Sequence, residues 1–231
     1  MNNLSTTLSD RDLRQRGLVP PERLARCHTV VLGVGAIGRQ VALQLAALGI
    51  SRMTLFDDDV VQAENLASQG YWPTDIHHPK VKATAELCRR IHPPLSVTAV
   101  AERFKRSTGR ELPGDSEQVL FCCVDSIVTR RMIWETVRWS ARLFVDGRMS
   151  AEVLRVLAAG EPALDDSYPR TLFSAEDAYV GACTARSTIY TASLVAGLMV
   201  HQFAKWLRGL PVDTDLTLNL LAAELTANGS S

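Results

Sequence analysis

The segment spanning residues 30–59, VVLGVGAIGRQVALQLAALGISRMTLFDDD, constrains this chain more than any other, because it joins an apolar strand, a glycine turn, a helix and an acidic strand end. Gly33, Gly35 and Gly38 form GxGxxG directly after Val30-Val31-Leu32, and a helix can start at Ile37 or Gly38. The first glycine permits a tight turn, the second lets a phosphate approach the backbone, and the third allows helix to pack closely on strand. Free N–H groups at the helix start then face negative charge. Asp57 lies 19 residues beyond Gly38, at the end of a second strand over 52–56, where a carboxylate would accept hydrogen bonds from ribose hydroxyls. A nucleotide-binding βαβ unit is the expectation.

At 231 residues, with neither a linker-like stretch nor an internal repeat, the chain reads as one domain over 1–231. Lys plus Arg equals Asp plus Glu at 25 each, so no global field draws it to nucleic acid or an anionic membrane, and a nucleic-acid partner is not expected. The N-terminus lacks an apolar core of signal-peptide length, and the most apolar helix, near 189–207, is interrupted by Ser193, His201, Gln202 and Lys205. A cytoplasmic protein with no membrane partner is expected. The five cysteines, Cys27, Cys88, Cys122, Cys123 and Cys183, are odd in number and lack CxxC spacing, so neither disulfides nor a structural zinc site is expected.

Residues 1–9 read as disordered, and Leu spacing over 10–26 suggests one or two short helices. Strands at 28–32, 52–56, 95–100, 118–123 and 142–146 then alternate with helices at 37–49, 79–91 and 126–140, which predicts an α/β, Rossmann-like, doubly wound and mainly parallel sheet. After Asp146 the pattern changes to a strand over 151–159, an irregular segment over 160–182, a long helix over 187–208 and a last strand over 216–221. Residues 10–146 thus form a nucleotide-binding half, and 147–231 a substrate and cysteine half with antiparallel C-terminal strands and a long C-terminal helix.

Several side chains carry candidate chemistry, each beside a plainer reading. Asp57, Asp58 and Asp59 repel one another unless something positive or hydroxylic lies nearby, and ribose or a metal ion would serve; a solvated turn is the alternative for Asp58. Asn65 and Gln69 share a helical face and could hold a phosphate or ribose, or simply face solvent. Lys80 begins a helix, from which its ammonium could reach a phosphate over the glycine turn, or it is simply an exposed surface lysine. His77 and His78 are adjacent and so point apart, with no third ligand, and a zinc site is not read there. Asp125 ends the apolar strand before Ser126, where it would meet magnesium or substrate, or cap the next helix. Cys183 precedes Thr184-Ala185-Arg186 and the long helix, a setting that favours thiolate, or else it is a small residue at a packed turn.

Taken in order, these elements resemble the ThiF/MoeB adenylyltransferase superfamily, which includes the ubiquitin-activating enzymes. The resemblance spans about residues 11 to 208 and rests on RDLRQ at Arg11 to Gln15, the GVGAIG turn, Asp57 and Asp59 followed by Asn65 and Gln69, PKV at Pro79 to Val81, CVDS at Cys123 to Ser126 with Arg130, and the region from Cys183 into the long helix. It implies that Gly33, Gly35, Gly38 and Asp57 hold ATP, that Asn65 and Lys80 contact phosphates, and that Asp125 organises Mg2+. It further implies that Arg14 reaches the ATP of the other subunit of a homodimer. Cys183 would attack the acyl-adenylate of a ubiquitin-like or sulfur-carrier protein; a peptide with a C-terminal carboxylate is the other partner considered.

Two departures stand out. Ser68 occupies the place of an arginine before Gln69, which leaves Arg130, Arg131 or Arg14 to substitute or the triphosphate affinity lowered, and the zinc-binding CxxC pairs of many relatives are absent. The function expected is ATP-dependent adenylation of a carboxylate, the C-terminus of a ubiquitin-like or sulfur-carrier protein. The alternatives are adenylation of a peptide, a small acid or an RNA nucleoside without a cysteine intermediate, or an inactive partner subunit of an activating enzyme. An NAD-dependent dehydrogenase would leave Lys80, Asp125 and Cys183 unexplained.

Overall fold

Hydrophobic strands separated by helices with one apolar face can bury that apolar surface only as a layered sheet, and the computed structural model takes this form over its described residues, 11–110, 116–173 and 187–229. In chain order the elements are α1 (Pro21–Leu24), β1 (Cys27–Leu32), α2 (Ala36–Leu48), β2 (Arg52–Phe56), α3 (Asn65–Gln69), α4 (Lys80–Ile91), β3 (Ser96–Val100), α5 (Arg106–Arg110), β4 (Glu117–Cys122), α6 (Ile127–Val137), β5 (Leu143–Ser150), β6 (Val153–Ala159), α7 (Ile189–Leu207), β7 (Asp213–Asn219) and β8 (Glu224–Gly229). The eight-stranded sheet runs β3-β2-β1-β4-β5-β6-β7-β8. It is parallel from β3 to β5 and antiparallel from β5 onward. The expected Rossmann-like sheet with antiparallel C-terminal strands is therefore the observed one.

The wholly buried strand β1 lies in the middle of the five parallel strands, and its neighbours β2 and β4 lead the chain to opposite sides. Leu32 is paired with Phe56 and with Cys122, so three strands end side by side. A crevice opens at such a reversal of strand order, outside the carboxyl ends of the strands. One face of the sheet is covered by α2, α4 and α7, whose Val41, Leu45, Val81, Met199 and Phe203 share a core with Val31 and Phe121. The other face packs Trp134 of α6 with Phe144 and Tyr168.

Local chemistry explains the ends of these elements. Helix α2 stops at Gly49, whose φ of 92° lets its N–H return to the carbonyls of Leu45 and Ala46. Helix α7 starts at a reciprocal Thr188–Thr191 cap and crosses β5 at Gly147, where a Cβ would stand 2.4 Å from the Met199 sulfur. No helix among the described residues is long and apolar enough to cross a membrane.

Some expected boundaries differ. The helices expected over 10–26 reduce to turns over 11–18 and the short α1, since Gly17 and the Pro20-Pro21 pair interrupt the run. Strand β5 continues past Asp146 to Ser150, because a hairpin through Ala151 supplies it with β6 as an antiparallel partner. The last expected strand lies at Asp213–Asn219, and β8, which follows it, was not anticipated: its alternation is weak and every residue of it with a described side chain is exposed.

Candidate functional site

The glycine turn is held from beneath by backbone. Gly33 donates to the carbonyl of Phe56 at 2.8 Å and Cys123 donates to that of Leu32 at 2.8 Å, so the turn is fastened to both neighbouring strand ends. At φ +86° Gly33 occupies the left-handed region, and a Cβ there would stand 3.1 Å from the Cys123 carbonyl oxygen. A Cβ on Gly38 would lie 1.8 Å from the Gly33 carbonyl oxygen, so helix and turn approach in a way only glycine allows. Gly35 differs: a Cβ there would meet nothing within 4 Å. Space thus opens on the outer side of the turn, at the amino end of the 13-residue α2, which suits the triphosphate that the GxGxxG pattern leads one to expect.

Asp57 joins β2 to this turn. One carboxylate oxygen accepts from the N–H of Val34 at 2.7 Å and the other from that of Asp59 at 2.9 Å. Burial raises its pKa above the ordinary carboxylate value, opposed by those two N–H groups and by the charge of Lys80. Each oxygen retains a free lone pair, which a ribose hydroxyl could use. Lys80 is buried at the start of α4, with Nζ 2.8 Å from Asp59 Oδ2 and its own N–H donated to the Asp59 carbonyl. Asp58 pairs with exposed Arg103 at 2.7 Å. The carboxylate oxygens of Asp57, Asp58 and Asp59 lie within 4.8 Å of one another, but the cations that relieve their repulsion are Lys80 and Arg103.

Asp125 stands beyond β4, across from Asp57. The cap that competed for it is supplied by Ser126, whose side chain accepts from the Thr129 N–H at 3.3 Å. The exposed Asp125 carboxylate is therefore not engaged by the helix start, and a hard oxygen donor at this end of the sheet fits magnesium. Asn65 and Gln69 lie at the two ends of α3, partly buried; Asn65 accepts from the Gln62 N–H at 2.9 Å, and Gln69 Oε1 is buried without a partner.

The arginines fall elsewhere. Arg130 is buried against Asp146, with Nη2 also on the Val124 carbonyl, so this residue, expected at the nucleotide, is held in a structural pair. Arg131 donates to the Leu172 carbonyl at 2.5 Å. Neither is positioned as the substitute for the arginine that Ser68 replaces; Ser68 itself donates to the Glu64 carbonyl. Arg14 is exposed, and among the described residues no hydrogen bond or ion pair holds it. Its neighbours Arg11 and Gln15 donate to the carbonyls of Ala46, Ala47 and Leu48. That places Arg14 at the carboxyl end of α2, roughly 20 Å from the glycine turn at 1.5 Å per residue. From there its side chain does not reach the glycine turn of its own chain.

Cys183 lies outside the described residues. Among the described cysteines, burial pushes the thiols of Cys27 and Cys88 up to about 12 and also raises Cys122 and Cys123. These are core residues without thiolate character. Sequence reasoning missed Tyr71, Asp146, Arg148 and Tyr168. Asp146 could have been noticed, since like Asp57 and Asp125 it closes an apolar strand; nothing in the sequence marks Tyr71.

Residues 10–228 match the ThiF family. The SAMP-activating enzyme E1 of Haloferax volcanii is 31% identical over 126 residues, covering 54% of this chain and 46% of its own length. The sulfur carrier protein ThiS adenylyltransferase of Escherichia coli is 29% identical over 113 residues, covering 48% and 45%. The ubiquitin-like modifier-activating enzyme 5 of Gallus gallus is 26% identical over 216 residues, covering 84% and 54%. The chain thus spans about half the length of these curated relatives. Among solved structures, PaaA superposes with a TM-score of 0.78 at 20% identity over 99% of this chain and 84% of its own, and Escherichia coli MccB with AMPCPP and MccA with a TM-score of 0.76 at 16% identity over 99% and 72%; both share the fold.

Proposed function

Because this chain belongs to the ThiF family, we propose that it is an ATP-dependent adenylyltransferase that activates a carboxylate, the C-terminus of a ubiquitin-like or sulfur-carrier protein. The observation that carries this reading is the convergence of an open Gly35, an Asp57 carboxylate fastened to the same turn, buried Lys80 and uncapped Asp125 at one end of the sheet. Asp57 would accept the ribose hydroxyls, and the outer face of the glycine turn would receive the phosphates. A substrate carboxylate oxygen attacks the α-phosphorus; a P–O bond forms to the acyl group, the bond to the β-phosphate oxygen breaks, and pyrophosphate leaves with the electron pair. Lys80, free to exchange Asp59 for phosphate at this edge, stabilises the charge that moves onto the leaving group. Asp125 would hold Mg2+, which when bound supplies further neutralisation of the triphosphate.

Arg14 would complete the site of a second subunit, which makes the active form a homodimer. Mixing an Arg14→Ala protein with an Asp57→Ala protein should restore about a quarter of the wild-type turnover, since random pairing leaves one intact site in each mixed dimer. The buried thiols at Cys27, Cys88, Cys122 and Cys123 leave a thioester step to Cys183, whose thiolate would attack the acyl carbon and release AMP.

The test is ATP–pyrophosphate exchange with magnesium across a panel of carboxylates, including carrier proteins ending in Gly-Gly and short peptides. Exchange that requires a carrier protein and is lost in Asp125→Ala is the expected result. Exchange only with a peptide would replace the substrate, and failure to bind ATP would remove the enzymatic reading.

A further inference from the structure

Tyr71 is a deeply buried tyrosine, 3% exposed, in the segment between α3 and α4, and no nucleotide motif includes it. Its hydroxyl donates to the carbonyl of Val34, within the glycine turn, at 2.7 Å. A tyrosine hydroxyl carries a single proton. Since that proton goes to a carbonyl, which can only accept, the 3.1 Å contact with the Thr84 hydroxyl has Thr84 as donor. The ring is fixed in turn by the Arg39 guanidinium, stacked 4.5 Å from its centroid. Burial also drives the phenol pKa upward, so the group stays protonated and keeps donating.

The Val34 carbonyl and the Gly35 N–H belong to one peptide unit. All peptide bonds described here are trans, and a trans unit points its C=O and N–H in opposite directions. Holding the Val34 oxygen inward on Tyr71 therefore turns the Gly35 N–H outward, to the side where a Cβ on Gly35 would find nothing within 4 Å. The preceding unit is fixed independently, because the Val34 N–H is taken by Asp57 at 2.7 Å. Without the tyrosine hydroxyl the Val34–Gly35 unit could rotate, since glycine imposes little restraint on its own φ.

We propose that Tyr71 is a positioning residue that aims the Gly35 N–H at a phosphate of the bound nucleotide by holding the Val34 carbonyl inward. This rests on the nucleotide-binding reading given above. The assignment makes a distinctive demand: the hydroxyl should matter for the phosphates and not for the nucleoside, which Asp57 holds.

Calorimetric titration of ATP and of adenosine into wild type, Tyr71→Phe and Thr84→Val separates the two ideas. Tyr71→Phe should weaken ATP about tenfold, as befits one misdirected charge-assisted hydrogen bond, and leave adenosine within about twofold. Thr84→Val removes a buried hydroxyl from the same cluster but keeps the Tyr71–Val34 bond, and should hold the wild-type ratio of the two affinities. Equal weakening of ATP and adenosine in Tyr71→Phe, or an equal fall of the ratio in Thr84→Val, would overturn the assignment and leave nucleotide binding intact. Wild type that binds neither compound removes both readings together. A readout without any variant is the amide resonance of Gly35, which ATP should move well beyond the shift that adenosine causes; equal shifts would refute the idea.

Discussion

Asp57 and Asp146 both lie where parallel pairing ends, Asp57 one residue past β2 and Asp146 within β5 level with Cys122, yet the protein treats them in opposite ways. Asp57 accepts one backbone N–H on each oxygen, which leaves each with a lone pair to spare. Asp146 is wholly buried: Arg130 pairs with one oxygen, and the other accepts from Arg148 Nε at 2.8 Å and the Tyr168 hydroxyl at 3.0 Å. Arg148 goes on to the carbonyl and hydroxyl oxygens of Thr171, and Arg131 to the carbonyl of Leu172, so the network ties β5 and α6 to the turn at 168–172. A carboxylate at a strand end is thus left with acceptor capacity where backbone satisfies it, and becomes a brace where side-chain cations enclose it.

The sharpest way to break this contrast is Asp146→Asn. It leaves the buried guanidinium of Arg130 and the partly buried one of Arg148 facing a neutral amide, and should cost about 3–5 kcal/mol of folding stability in urea denaturation. A cost below about 1 kcal/mol would mean that the network is dispensable.

Asp57→Asn should show the reverse pattern. Nucleotide affinity should fall at least about tenfold, roughly 1.4 kcal/mol, while stability stays within about 1 kcal/mol, because the amide oxygen preserves one of the two backbone contacts. The pH dependence sharpens this further. Burial raises the Asp57 pKa from 3.8, so in the wild type nucleotide binding should weaken as pH falls through that raised value. Stability takes the other sign: a carboxylate that binds its proton more tightly when folded loses stability as pH rises from the unfolded pKa through the folded one. Titrating ATP affinity in Asp57→Asn should remove the acidic limb; a limb that persists would assign it to another group.

The smallest effect concerns the third carboxylate. Ser126→Ala should cost about 1 kcal/mol through loss of the α6 cap, and Asp125→Ala less than about 0.5 kcal/mol, both by urea denaturation. A larger loss for Asp125→Ala would return it to a structural role.

Much of the N-terminal half was legible in the residues themselves. The strands over 28–32 and 52–56 and the helix after the glycine turn announce themselves by periodicity and by glycines whose spacing has a steric meaning. Asp57 sits where the next strand must end. Less could be read where partners are distant in sequence. Arg130 looked available for a phosphate until Asp146, in the following strand, took it. Asp125 looked as well suited to a helix cap as to a metal until Ser126 filled the cap. Strand β8 lacked an apolar face to betray it.

By itself the sequence determined the order of the strands' chemistry: which segment turns on glycine, which ends in a carboxylate, and where the parallel pattern stops. These are local matters, set by backbone sterics and by hydrophobic alternation within about ten residues. Only the tertiary structure decided which carboxylates remain open and which are enclosed, and that Tyr71 reaches back 37 positions to hold the Val34 carbonyl. Those outcomes depend on groups that meet from different elements, Tyr71 on the glycine turn and Arg130 of α6 on Asp146 of β5, and a hydrogen bond or ion pair formed over such a separation leaves no periodic trace in the chain.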